Sequence, residues 1–119
     1  MIEQRILALG LAVLALAGCA NDPAPVEQLR LTEQAVAQAR AVGASAEQSP
    51  DMKLAEEKLA RAQKNMGEQD YKRARIFAEQ AELDARLAES KVLTEKSKAQ
   101  LVDLSARINR LRKQLGEMQ

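Results

Sequence analysis

The chain has no histidine and no tryptophan, and only one residue each of phenylalanine, tyrosine and cysteine. Without histidine, no side chain titrates near neutral pH at its ordinary value, and neither a Ser-His-Asp triad nor a histidine-based zinc site can be assembled. Two aromatic side chains cannot fill a thick globular core. The single thiol has no partner for an internal disulfide. A formal charge of +1, from 18 basic and 17 acidic residues, removes any bulk attraction to nucleic acid. Carboxylates alone still permit catalysis, but only in a cleft, and clusters such as Glu56-Glu57 stand beside Lys58 on an expected solvent face. The chain is therefore expected not to be an enzyme and to need no metal or other cofactor.

One apolar run stands out, Ile6 to Leu16, built only from Ile, Leu, Ala, Val and Gly and preceded by Arg5 and the initiating amine. It falls short of the roughly 20 residues that a helix needs to cross the hydrocarbon core, and it has the layout of a secretory signal peptide. The run ends in Leu16-Ala17-Gly18-Cys19, which places the only cysteine directly after small residues. This stretch resembles the lipobox of bacterial lipoproteins. The resemblance implies cleavage between Gly18 and Cys19, diacylglycerol on the Cys19 thiol and an acyl chain on the new amine. Several acyl chains, at about 0.8 kcal/mol per buried methylene, would anchor the protein permanently to a membrane. In similar lipoproteins an aspartate directly after the cysteine holds the protein in the inner membrane. Ala20 occupies that position here, so the expected location is the periplasmic face of the outer membrane, with the inner membrane as the alternative that Asn21-Asp22 keeps open.

Removing residues 1 to 18 from 119 leaves 101, enough for one small domain. Alanine, glutamate, glutamine, lysine, arginine and leucine dominate it, the composition of long helices rather than of a sheet. Residues 20 to 25, with two prolines, read as an extended tether. Val26 to Val42 carries Leu29, Ala35, Val36, Ala39 and Val42 at helical spacing and ends at Gly43. Ser49-Pro50-Asp51 combines a helix cap, a first-turn proline and a first-turn acid, so a second helix should start there. Met52, Ala55, Leu59, Ala62 and Met66 form its stripe, and Gly67 is expected to stop it. Asp70 can cap a third helix running from Tyr71 almost to the end, since no glycine or proline occurs between Gly67 and Gly116. Its first half repeats alanine at 74, 78, 81, 85 and 88, which lets a neighbouring helix approach closely, with Ile76, Phe77, Leu83 and Leu87 expected to flank that stripe with bulk.

Gly67-Glu68-Gln69-Asp70-Tyr71 followed by Ala74, Ala78 and Ala81 resembles the middle of a tetratricopeptide repeat, but no second copy recurs at that repeat's period of about 34 residues. A longer part, from about Leu29 to Leu93, is similar to a family of small proteobacterial lipoproteins defined only as a domain of unknown function. The shared features are the Ala-x-x-x-Ala helices, the Ser49-Pro50 turn, Gly-x-x-Asp-Tyr at 67 to 71, and Ala-Glu-Gln-Ala-Glu-Leu-Asp-Ala at 78 to 85. Members of that family occur alone or ahead of an OmpA-like peptidoglycan-binding domain, for which this chain has no room.

The third helix is much longer than the second, so about 30 residues beyond Leu87, or about 45 Å, should overhang the bundle. In that overhang Leu101, Leu104, Ile108, Leu111 and Leu115 form an a/d heptad seam, interrupted upstream by Ser90, Thr94 and Ser97. Burying each would stabilise a complex by roughly 1.5 to 3 kcal/mol, so an intermolecular coiled coil is expected, with a second copy or another envelope protein. The basic groups Lys72-Arg73-Arg75 and Arg107, Arg110, Arg112 and Lys113 could bind an anionic glycan, lipopolysaccharide or nucleic acid, but they read first as solvated faces, and the last set also suits a helix C-terminus. The expected architecture is all-α: a signal peptide at 1 to 18, a lipidated cysteine and tether at 19 to 25, a short antiparallel bundle at 26 to 88 and a coiled-coil extension at 89 to 119. Two functions fit it. One is a structural or adaptor lipoprotein of the envelope, and the other is a module that binds peptidoglycan or another envelope polymer.

Overall fold

The computed structural model describes residues 22–118, which form three helices and no strand. Helix α1 spans Val26–Ala41, α2 spans Pro50–Gly67 and α3 spans Tyr71–Glu117. Their directions follow from the pairs that cross between them. Lys58 to Asp84 and Lys91 to Asp51 set α2 antiparallel to α3. Arg40 to Glu56 and Gln63 to Glu33 set α1 antiparallel to α2. Helix α1 therefore runs parallel to α3, and the backbone agrees: the Arg75 guanidinium reaches the Pro23 carbonyl near one end and the Lys96 ammonium reaches the Val42 carbonyl near the other. The long helix is the common partner of the other two, which touch each other less.

Local chemistry places each boundary. The Ser49 hydroxyl accepts from the Met52 N–H at 3.2 Å, and Pro50 fills the first turn, where its missing N–H costs nothing. Asp70 caps α3 by accepting from the Arg73 N–H at 3.1 Å. At the end of α1, Gly43 adopts φ 102°, and the Ala44 N–H reaches back to the Ala39 carbonyl at 2.9 Å, closing the helix with a left-handed residue. The end of α2 uses the same device with a different residue. Gly67 is the last helical residue rather than the stop, and Gln69 takes the left-handed conformation at φ 60° while the Asp70 N–H bonds the Asn65 carbonyl.

Apart from Pro25 at the start of α1, all the buried apolar residues except Val36 and Met52 are alanines. Ala74, Ala78, Ala81, Ala85 and Ala88 of α3 have no exposed surface and face α1 and α2 together. Methyl-sized side chains let backbones come close, and at Thr32 the approach becomes polar. Its buried hydroxyl lies 2.8 Å from the Gln28 carbonyl in its own helix and 2.9 Å from the Ala78 carbonyl in α3. An α3 side chain larger than alanine at position 78 would hold α1 away.

Two expectations from the periodicity are corrected. Ile76, Leu83 and Leu87 do not flank the alanine stripe as packing bulk, being 42%, 67% and 44% exposed on the opposite side of α3. A core built of methyl groups is thin, so helices α1 and α2 do not extend around α3 far enough to cover them. Packing also continues past Leu87. Val92 rests against the core, and Lys96 reaches the loop after α1, because that loop, Val42 to Ser49, lies over α3 beyond the alanine stripe. The segment free of the bundle is therefore about 22 residues, roughly 33 Å at 1.5 Å per residue.

Candidate functional site

From Lys91 onward every described residue of α3 except Val92 is exposed. A single helix in water holds its backbone bonds but has no place to bury an apolar face. Leu101, Leu104, Ile108, Leu111 and Leu115 nevertheless stand on one side of it, with exposures from 41% for Ile108 to 64% for Leu115. At 3.6 residues per turn the seam faces roughly 140° away from the alanine stripe. One unbroken helix thus turns a small-residue face to the bundle and a leucine face outward.

The structure extends the seam at both ends. Met118 is in phase with Leu104 and Leu111 and is 83% exposed. Upstream, the outward-facing Ile76, Leu83 and Leu87 belong to the same a/d series, separated from Leu101 by Ser90, Thr94 and Ser97. The heptad phase alone would have found these three, had the alanine spacing not drawn them into the bundle.

Charges differ between the two halves of α3. Within the bundle, ion pairs tie helix to helix: Lys58 to Asp84 at 2.7 Å and Lys91 to Asp51 at 2.6 Å. Glu82 receives the Arg86 guanidinium at 2.6 Å and the Gln28 amide of α1 at 2.7 Å, and these donors, Arg86 first, hold its carboxyl below the usual glutamate range. Along the seam the ion pair is local, Arg107 to Asp103 one turn away at 2.8 Å. Arg110, Arg112 and Lys113 are exposed.

A concavity lies where the loop after α1 crosses α3. It encloses about 380 Å³ between Gly43, Ala44, Ser49 and Pro50 on one side and Ala88, Val92 and Lys96 on the other. Its charged groups are largely satisfied by one another, Asp51 by Lys91 and Lys96 by the Val42 carbonyl. Among the described residues no group of three His, Cys, Asp or Glu side chains is placed to hold a metal, and no helix is long and apolar enough to cross a membrane. Gly18 and Cys19 lie outside the described residues.

No functionally curated protein matches the chain. The crystal structure of a DUF4398 family protein (PA2901) from Pseudomonas aeruginosa PAO1 is similar to it, with 62% sequence identity, a TM-score of 0.77, and coverage of 82% of this chain and 100% of that one. The profile of DUF4398, a domain of unknown function, matches residues 27–104, which takes in nearly all of α1, all of α2 and α3 as far as Leu104. The chain belongs to the DUF4398 family.

Proposed function

We propose that the protein is a structural or adaptor lipoprotein of the bacterial envelope, anchored through acyl chains on Cys19 at the periplasmic face of the outer membrane, and that it works by docking a partner helix on the outward seam of α3. One observation carries this reading: five heptad-spaced Leu and Ile side chains are exposed on a helix that the bundle already orders. A helix pre-formed in this way loses little chain entropy on pairing, and such an exposed apolar stripe marks an interaction surface.

Two experiments test the two halves. Cys19→Ser should leave full-length precursor and abolish palmitate labelling in growing cells, and normal labelling would remove the anchor. A photo-activatable residue at position 108 in intact cells should crosslink to protein, whereas the same residue at Glu95, off the seam, should not. Equal crosslinking from both positions would remove the seam as the docking surface. The alternative, a module for peptidoglycan or another envelope polymer, would use the hollow beside Gly43. Its charges are already paired within the chain, which favours the adaptor reading. Retention of the purified protein on isolated sacculi, without other proteins, would reverse that preference.

A further inference from the structure

Building on the adaptor reading of the seam, we infer that its occupant is a second copy of this chain, paired antiparallel, in the register that sets Ile108 against Leu111 of the second copy. In a two-stranded coiled coil, residues at the e and g positions lie across the interface and decide orientation. With Leu101, Ile108 and Leu115 at a, the g positions along α3 are Lys72, Glu79, Arg86, Leu93, Gln100, Arg107 and Gln114, and the e positions are Phe77, Asp84, Lys91, Lys98, Ser105 and Arg112.

A parallel, in-register pair joins each g residue to the e residue five positions later on the other chain. That would set Glu79 on Asp84, Arg86 on Lys91 and Arg107 on Arg112, each contact occurring twice. Every charged e/g contact in that arrangement is repulsive.

An antiparallel pair joins a to d, g to g and e to e. In the proposed register the layers are Leu101 with Met118, Leu104 with Leu115, and Ile108 with Leu111, so every seam residue meets an apolar one. Arg107 then faces Gln114 and Arg112 faces Ser105, with no like charges opposed. Shifting by one heptad toward deeper overlap sets Arg107 on its own copy, and shifting the other way does the same to Arg112. The next deeper overlap opposes Lys91 to Arg112. Sliding the seam onto Leu83 and Leu87 sets Lys98 on its own copy and leaves Leu101, Leu104 and Ile108 against Ser97, Thr94 and Ser90. Among these registers, charge and apolar matching agree in one alone. The bundle does not obstruct it, because the alanine face that holds α1 and α2 points away from the seam.

Spin-label distance measurement on residues 20–119 tests this. The piece contains all three helices of the described residues and the core they form, and the relative's entire solved chain matches 82% of this one, so it is a folded unit. It lacks Cys19, so Thr94→Cys provides a unique label site. In the proposed register the two labels lie 31 positions apart along the axis, about 46 Å, whereas a parallel pair or the overlap onto Leu83 brings them within roughly 20 Å. Gln114→Glu places a carboxylate opposite each Arg107 of the antiparallel pair and should tighten dimerisation roughly three- to five-fold. A short distance, or no tightening, would overturn the arrangement. So would a monomer up to about 100 µM, the weak end expected of a small interface. A monomer that still crosslinks from position 108 to a different protein in cells would overturn the second copy while leaving the adaptor reading in place.

Discussion

The two faces of α3 solve opposite problems with side chains two residues apart. Ala85 is fully buried and Leu83 is 67% exposed, so the smaller apolar residue is inside and the larger one outside. Burial of methyl groups removes little apolar area per residue, and the stability of the bundle must come from close backbone approach, from caps and from polar bridges such as Thr32. The leucine face carries the larger hydrophobic area and spends none of it on the fold of a single chain. Residue size thus separates a face made for permanent close contact from one left to meet something else.

The largest expected effect lies on the leucine face. Ile108→Lys places charges in the middle layer of the paired seam, and dissociation should rise at least about a hundredfold, since an unpaired charge in a closed interface costs several kcal/mol. Sedimentation equilibrium of residues 20–119 should show an oligomer for the parent chain and a monomer for the variant, with helical circular dichroism of the bundle retained. Next comes the alanine face. Ala78→Leu should overpack the contact with Thr32 and lower stability by about 1 to 3 kcal/mol, read as a fall in Tm, while Leu83→Gln, five residues on, should change stability by less than about 0.5 kcal/mol. Equal effects at the two positions would erase the distinction between the faces.

Smaller still, Thr32→Val keeps the shape of the side chain but removes the hydroxyl between two carbonyls, and should cost about 0.5 to 1.5 kcal/mol in urea unfolding. The weakest effect is on pH. Because Arg86 and Gln28 hold the Glu82 carboxyl below its ordinary value, its contribution is complete above the unfolded glutamate pKa of about 4.3 and is lost as pH falls through the lower folded value. Glu82→Gln should therefore lower stability slightly at neutral pH and leave it nearly unchanged at low pH, which flattens the acid side of the stability profile.

Much of this arrangement was legible in the sequence. The Ser49-Pro50 start, the Gly43 stop and the five-alanine stripe each rest on a local rule, and the structure places them accordingly. What spacing cannot convey is how far a neighbour wraps around a helix. Ile76, Leu83 and Leu87 share helical spacing with the alanines, yet their exposure depends on the thinness of the core, a property of the assembled bundle. The left-handed turn at Gln69 was hidden for a different reason, because Gly67 nearby is the residue with the stronger intrinsic preference for that conformation. The lengthened contact at Val92 and Lys96 depends on where an irregular loop comes to rest, which carries no periodic signal. The seam itself was visible because heptad spacing is independent of anything it packs against.

Helix α3 continues from the bundle through the seam without glycine or proline between Tyr71 and Leu115. An uninterrupted α-helix is stiff in torsion, so the direction in which the bundle points fixes the compass bearing of the seam. Removing one heptad from the segment that joins the bundle to the seam would shorten the reach by about 10 Å and leave that bearing almost unchanged, since seven residues complete nearly two turns. Removing two would swing the seam through about 200° and aim it to the bundle's own side. The protein can thus be read as a pointer whose length and heading are independently adjustable by the number of residues in one straight segment.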